Sequence, residues 1–269
     1  MRALPFPKAR NRMILRKLVS NHGLSVVDSD AIANQYVIYL SHNGNPAIVN
    51  PVVGLAATTE GLLEKRYTAS TKKDGLAWID DLRSKHRLAY CPMCGNTGSK
   101  TLEHYLPKKI YPEFYLFSFN LIPSCSTCNQ KRGVHANNPG TALPLLHPYF
   151  DGATLDLAFL ETEIVPPFDA PLFRPTVNSL LAAGPIRDRA LEHVAKSIED
   201  DSFTTWATSQ WAEWKLDAHT QPSLQTLLDD ISRKLLNQVR VNGPNGWTAA
   251  FLRGLLSNHP AANWLRLNP

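Results

Sequence analysis

Four cysteines in the middle of the chain have the types and spacing to hold a metal ion. They form two C-x-x-C pairs, Cys91-Pro-Met-Cys94 and Cys125-Ser-Thr-Cys128, and the sequence contains no further cysteine. Two such pairs about thirty residues apart are typical of a tetrahedral Zn²⁺ site. Because four thiolates leave no open position on the ion, we expect this zinc to be structural. The alternatives are two disulfides or four unliganded thiols.

The segment between the cysteine pairs carries groups that could perform hydrolysis. Glu103 and His104 place a carboxylate beside an imidazole, and Asn120 and Asn129 follow. A neutral imidazole accepts a proton from water near pH 7, and a hard divalent ion with oxygen ligands stabilises phosphate charge. We therefore expect His104 to act as a base and Asn120 to hydrogen-bond the backbone of the loop. Asn129 is a candidate oxygen ligand for Mg²⁺ or Mn²⁺.

Basic residues near these groups are candidates for phosphate contacts: Lys108, Lys109, Lys131 and Arg132. The first 133 residues carry 18 Lys and Arg against 9 Asp and Glu, whereas the remainder carries 10 against 14. A basic half that includes the cysteine window favours a polyanionic partner, and we expect DNA.

The motifs in this window resemble the zinc-containing HNH endonucleases. The resemblance covers roughly residues 88–135 and consists of five features in order: Cys91-x-x-Cys94, Leu102-Glu-His-Tyr-Leu-Pro-Lys108, Asn120-Leu121, Cys125-x-x-Cys128-Asn129, and Lys131-Arg-Gly133. It implies a ββα-metal hairpin and helix. It also implies His104 as general base, Asn120 as the loop-orienting residue, and Glu103 and Asn129 as ligands of the catalytic divalent ion. Glu103 stands where the family more often has aspartate, and Asn129 where it often has histidine.

Weaker similarity to HNH proteins of bacterial phage-defence systems such as Septu involves Leu146-His-Pro-Tyr-Phe-Asp151 and the segment 245–256. It implies an antiviral effector and a partner ATPase encoded nearby. His147 and Asp151 are either additional site residues or parts of a turn with a buried hydrogen bond. His135 is either an extra ligand or a surface histidine.

The sequence patterns that must position these groups predict an α+β fold that is mainly α-helical. We expect a basic, mainly helical region over 1–87, a zinc-clamped HNH module over 88–151, and a mainly helical region over 152–269 that serves docking or homo-oligomerisation. A C-terminal helix is predicted from Trp247 to Leu256. No run of about 18 apolar residues predicts a membrane span, and the first ten residues lack the apolar stretch of a signal peptide, so we expect a cytoplasmic protein.

Two rival functions use the same residues. A non-catalytic zinc module that binds nucleic acid or protein needs the cysteines and the basic residues but not His104. An RNA-cleaving toxin would share the whole site. Its stacking aromatics would come from the aromatic-rich stretch 105–119, although packing within the hairpin also explains that stretch.

Overall fold

A computed structural model describes residues 1–69, 74–84, 88–98, 101–132 and 137–268. The described chain is mainly helical and contains two separate two-stranded antiparallel sheets, which agrees with the predicted α+β class. Within these residues, no helix is both long enough and apolar enough to cross a membrane. Gly133 and His135 of the sequence analysis lie outside the described residues.

Among the described residues, four helices precede the first strand: α1 (Asn11–His22), α2 (Val26–Ser41), α3 (Ala57–Thr68) and α4 (Ala77–Ser84). Helix α1 buries Ile14, Leu15 and Leu18 on one face, and it ends at Gly23, whose φ of 72° supplies the left-handed C-cap. Helix α2 starts directly afterwards because the side chain of Ser25 caps its first turn. These helices pack around the central hairpin, with α4 against both of its strands.

The central hairpin consists of β1 (Thr101–His104) and β2 (Leu121–Ser124), followed by α5 (Ser126–Arg132). The strands pair antiparallel, so that Glu103 lies opposite Ile122 and His104 opposite Leu121. Short 3₁₀ turns at Pro112–Phe114 and Ser118–Asn120 shape the connecting loop. The order strand, strand, helix is the one that the resemblance implied, and the helix begins at Ser126.

The C-terminal region combines a hairpin with helices, listed in chain order: α6 (Gly152–Leu155), β3 (Leu160–Val165), β4 (Leu172–Val177), α7 (Pro185–Ser197), α8 (Asp200–Ala218), α9 (Leu224–Asn242), α10 (Trp247–Ser257) and α11 (His259–Leu267). Helix α10, close to the predicted bounds, packs on β3 and α9. Gly254 permits this contact, since a Cβ atom there would meet the carbonyl oxygen of Thr162 at 2.2 Å.

The C-terminal helices are joined directly to the cysteine window. The indole Nε1 of Trp247 donates to the carbonyl of Cys94 at 2.8 Å, and Nε2 of His193 donates to the carbonyl of Met93 at 2.7 Å. Buried apolar residues from all three predicted regions form one continuous core. The C-terminal helices therefore help to fix the cysteine window in place.

Candidate metal centre and active site

The four cysteines come together as predicted. Their Sγ atoms all lie within 4.8 Å of one another, and all four residues are buried. The Sγ atoms of Cys94 and Cys125 are 3.5 Å apart. A tetrahedral zinc with Zn–S bonds of about 2.3 Å would hold its sulfurs about 3.8 Å apart, whereas a disulfide needs about 2.05 Å. The cluster therefore fits a structural metal such as zinc, and the cysteines are free thiols instead of disulfides.

The backbone around the sulfurs is shaped for a metal site. The N–H of Cys125 donates to Sγ of Cys91, and the N–H of Cys128 donates to Sγ of Cys125, both at 3.3 Å. Such donors stabilise thiolate charge. Gly95 closes the first turn with φ of 80°, and a Cβ atom there would lie 2.3 Å from the carbonyl oxygen of Asn245. Only glycine fits this position, because both the conformation and the space exclude a side chain.

His104 ends strand β1 with its side chain 7% exposed. Its Nε2 lies 3.2 Å from the carbonyl oxygen of Tyr115. Since a carbonyl only accepts, the neutral ring carries its proton on Nε2, and Nδ1 holds the lone pair. No described residue hydrogen-bonds to Nδ1. The rings of Tyr67 and Tyr115 meet the imidazole edge to face, with centroids 4.7 and 5.6 Å away.

Burial lowers the pKa of His104 to about 3, and the positive charge of Lys108 acts in the same direction. The ring is therefore neutral at pH 7. The ammonium of Lys108 lies 5.4 Å from the ring centre of Tyr67 and 5.8 Å from that of Tyr115, so it is held above the same two rings that enclose the histidine.

Glu103, the preceding residue, is buried and pairs with Arg132 of α5. Oε1 of Glu103 lies 3.1 Å from Nη2 of Arg132, and the two side chains are 7% and 1% exposed. Oε2 of Glu103 is also buried and has no hydrogen-bond partner among the described residues. Burial raises the pKa of Glu103, while Arg132 opposes the shift. An unpartnered carboxylate oxygen of this kind is suited to a cation.

Glu103 and His104 share neighbours although successive strand residues point to opposite faces. The positive charge of Lys108 acts on both groups. It adds to the lowering of the pKa of His104 and opposes the rise in the pKa of Glu103. Tyr67 touches the ring of His104, and the charge of Glu103 helps to raise the pKa of Tyr67. The end of β1 therefore brings both side chains into one neighbourhood.

Asn120 fixes the loop that follows β1. Its Oδ1 accepts from the N–H of Leu106 at 2.7 Å, and its Nδ2 donates to the carbonyl of Leu106 at 3.1 Å. The hydroxyl of Tyr39 also donates to Oδ1 at 3.1 Å. Asn120 is fully buried. The side-chain amide of Asn120 therefore pairs with both the N–H and the carbonyl of Leu106 and holds that residue against the hairpin.

Asn129 lies on α5, half-buried against β1. Its Nδ2 is 3.3 Å from Oγ1 of Thr101 and 3.5 Å from the carbonyl oxygen of Leu102. These contacts hold the amide next to the strand that carries Glu103. They use the nitrogen and leave the Oδ1 oxygen without a hydrogen bond to any described residue.

The four predicted phosphate contacts separate into two groups. Lys108 and Lys109 follow β1, the first half-buried and the second exposed. Lys131, although its residue is exposed, donates to the carbonyl of Ile198 at the end of α7. Arg132 is 2% exposed and pairs with Glu103. The structure therefore places Lys108 beside His104, whereas it places Arg132 inside the fold, where its charge meets a carboxylate instead of solvent.

Sequence reasoning missed the residues that line His104 from other parts of the chain. Tyr67 comes from α3, and the guanidinium carbon of Arg83 in α4 lies 5.8 Å from the ring centre of Tyr67. The sequence suggested base stacking or packing for Tyr115, yet Tyr115 also supplies the carbonyl that orients His104. The one available signal for Tyr67 was its place on an apolar helix face, which predicts a core residue equally well.

His147 and Asp151 belong to a buried turn. Nε2 of His147 lies 3.0 Å from the hydroxyl of Tyr39, and its Nδ1 accepts from the N–H of Tyr149 at 3.2 Å. Asp151 accepts two hydrogen bonds from Arg189, at 2.9 and 2.8 Å. Of the two interpretations that the sequence left open, the turn with a buried hydrogen bond agrees with these contacts.

Comparison with known proteins gives two partial similarities. The chain is 39% identical over 97 residues to Protein ea31 of Escherichia phage lambda, which covers 35% of this chain and 32% of that protein. It is 36% identical over 70 residues to Septu protein PtuB of Bacillus thuringiensis, which covers 25% of this chain and 26% of that protein. The chain therefore matches about a third or less of the length of these relatives. No protein-family model and no solved structure matches the chain.

Proposed function

We propose that this chain is a metal-dependent HNH endonuclease that hydrolyses DNA phosphodiester bonds, with His104 as the general base. The observation that carries the proposal is the contact between Nε2 of His104 and the carbonyl of Tyr115, because it directs the lone pair to Nδ1. A base for water needs a fixed lone pair in a neutral ring. A histidine that served only packing would not need a second nitrogen that is left without a hydrogen bond to the described residues.

The residues around His104 have separate parts in this proposal. Nδ1 of His104 takes the proton from the attacking water. Asn120 holds the loop and thereby the direction of the strand end that carries His104. Lys108, close to the imidazole ring, binds the scissile phosphate.

A phosphate bound at Lys108 also changes the base itself. In the free protein the ammonium of Lys108 and burial together lower the pKa of His104 to about 3, which leaves a neutral but weak base. The negative charge of a phosphate beside Lys108 offsets this effect and raises the pKa of the imidazole. Substrate binding therefore strengthens the base only when the reacting phosphate is in place.

Oε2 of Glu103 and Oδ1 of Asn129, neither of which has a hydrogen-bond partner among the described residues, fit a hard divalent ion. When bound, Mg²⁺ or Mn²⁺ would neutralise phosphate charge and stabilise the leaving oxygen. The role of Arg132 in this arrangement is to keep the buried carboxylate of Glu103 ionised through its own charge.

An anti-phage role is the biological context we propose, and the partial similarity to Septu protein PtuB supports it. Protein ea31 comes from phage lambda, so a similar segment occurs in a virus as well. Expression of the chain with its neighbouring genes in a bacterial host should lower phage plaque numbers, and His104→Ala should abolish the protection. Equal plaque numbers with and without the genes, over a broad panel of phages, would contradict this role.

We further propose that the C-terminal helices dock onto a partner, either a neighbouring ATPase or a second copy of the chain. Large apolar side chains on α8 and α9 are exposed, among them Leu216 at 69%, Leu236 at 59% and Val241 at 74%. Size-exclusion chromatography with and without the ATPase tests this. Leu236→Glu should shift the complex toward the monomer, whereas a parent protein that elutes as a monomer under both conditions would contradict docking.

The catalytic proposal is tested by incubating the purified protein with supercoiled plasmid, single-stranded DNA and transfer RNA. We expect nicked or linear DNA with Mg²⁺ or Mn²⁺ and intact DNA with EDTA. Cleavage of transfer RNA alone would indicate the RNA-cleaving alternative. Binding of DNA without cleavage under any metal would indicate the non-catalytic zinc module.

A further inference from the structure

A cavity lies beside helices α1 and α4 of the N-terminal region. It has a volume of about 500 Å³, and it is formed by the segment from Pro7 to Arg10, by α1 and by α4. Its apolar surface comes from Met13, Ile14 and Leu82. A cavity of this size accommodates a small molecule. None of the residues assigned to the metal centre or to the proposed catalytic site lines it.

The rim of this cavity is basic. Lys8, Arg10 and Lys17 line it, and none of them forms an ion pair with another described residue. Asp74 and Asp81 also line it, but the carboxylate of Asp74 is engaged by Arg66 and His22. Three cations thus face the cavity while one of its two acids is already neutralised. This balance favours an anionic group on the ligand.

An aromatic ring also lines the cavity. Trp78 of α4 is half-buried and belongs to the lining together with the basic residues Lys8, Arg10 and Lys17. Its Nε1–H is closed to solvent, so the ring surface is what the cavity offers to a ligand. An indole surface beside cations in an apolar cavity suits a flat heterocycle that carries a phosphate.

We propose that this cavity is a nucleotide-binding site, in which Trp78 contacts the base and Arg10 and Lys17 contact the phosphate. The ligand is either a free mononucleotide or an unpaired nucleotide within a DNA strand, since both offer the same base and phosphate. The site does not depend on the catalytic proposal, because no residue is shared between them. It gives the basic N-terminal region a function of its own.

Isothermal titration calorimetry of the full chain with adenosine monophosphate tests the site. The buffer contains no Mg²⁺, Mn²⁺ or chelator, so that cleavage is prevented and the structural zinc is retained. We expect saturable binding, with adenosine and inorganic phosphate each binding more weakly than the nucleotide. The double variant Arg10→Glu, Lys17→Glu should weaken binding by roughly tenfold or more, as two phosphate contacts are reversed. Arg16→Glu is the matched control, because Arg16 is exposed on the same helix but outside the cavity, and it should leave the affinity unchanged.

Trp78→Phe keeps an aromatic ring but reduces the surface that contacts the base, so it should fold and bind several-fold more weakly. A single-stranded oligonucleotide that displaces the mononucleotide identifies the DNA strand as the source of the ligand, and failure to displace it identifies a free nucleotide. Absence of saturable binding by both the mononucleotide and the oligonucleotide at this site would overturn the proposal. So would equal affinity in the parent and the Arg10→Glu, Lys17→Glu variant. Neither result bears on cleavage at His104.

Discussion

The guanidinium of Arg132 and the carboxylate of Glu103 meet at 3.1 Å between α5 and β1, with both side chains almost fully buried. Helix α5 also carries Cys128, so one short helix connects the metal centre to the residue we propose as a ligand of the divalent ion. The pair therefore ties the orientation of Glu103 to the folding of the cysteine cluster.

Removing Arg132 should be strongly destabilising. In Arg132→Met the carboxylate of Glu103 stays buried without its partner, and such a loss costs about 3–5 kcal/mol. The double variant Arg132→Met, Glu103→Gln should recover much of that stability, because no unpaired charge remains. Urea unfolding of the parent, both single variants and the double variant in excess zinc measures the coupling. Strictly additive effects would show that the two charges do not stabilise each other.

Loss of one zinc ligand should unfold the central module. Cys125→Ser should lower the bound zinc from about one ion per chain to near zero and should lower the melting temperature, because the binding energy of a structural zinc is part of the folding energy. Metal analysis and thermal unfolding measure the two effects. Thr127→Ala, two residues along the same turn, is the control and should retain the ion. A Cys125→Ser variant that melts at the same temperature as the zinc-bound parent would contradict the structural role.

Asn120 should contribute through both ends of its amide. Asn120→Ala leaves the buried N–H and carbonyl of Leu106 unpaired, and each such group costs about 1–3 kcal/mol. Asn120→Asp retains the acceptor for the N–H of Leu106 but places a charge in the core. Tyr39→Phe removes one hydrogen bond to Asn120 and the hydroxyl contact of His147, but it leaves both groups of Leu106 paired, so it should cost less than Asn120→Ala. Chemical denaturation ranks the variants, and equal stability of Tyr39→Phe and Asn120→Ala would contradict this assignment.

Acid should destabilise the fold through His193. The N–H of Leu146 donates to its Nδ1 at 3.1 Å, so the folded state needs this nitrogen unprotonated. Burial lowers the pKa of His193 to about 3, below the value of about 6.5 in the unfolded chain. The stabilisation is therefore complete above pH 6.5 and is lost as the pH falls from 6.5 toward 3. Between pH 6.5 and pH 5 this one group should cost about 1.5 kcal/mol.

The variant His193→Gln isolates that contribution, because glutamine can hydrogen-bond but does not titrate in this range. The free energy of unfolding should fall less steeply with acid in His193→Gln than in the parent. If the two slopes agree between pH 6.5 and pH 5, then His193 is not the group that is responsible.

The cysteine cluster could be predicted from local spacing, because two C-x-x-C turns bring thiolates together whatever surrounds them. The ββα order was implied by the family resemblance, whose motifs lie within a short continuous stretch of chain. The helix predicted from Trp247 to Leu256 also agrees with the structure.

The surroundings of His104 could not be predicted, since they depend on long-range packing. Tyr67 lies 37 positions before His104 in the sequence, and no pattern in α3 distinguishes it from an ordinary core residue. Arg132 stood in a basic run, Lys131-Arg132, where a surface position was the simpler expectation. Only the packing of α5 on β1 shows that one of these two charges points inward to Glu103.

The most direct test of the catalytic account is the rate of plasmid cleavage with Mg²⁺ by the parent and by His104→Ala under single-turnover conditions. Zinc content and DNA affinity are measured on the same samples, so that a folding defect is recognised. We expect cleavage to fall by roughly a hundredfold or more, as is usual when a general base is removed, while zinc content and DNA binding stay unchanged. Cleavage by His104→Ala at the rate of the parent would contradict the assignment of His104 as the base.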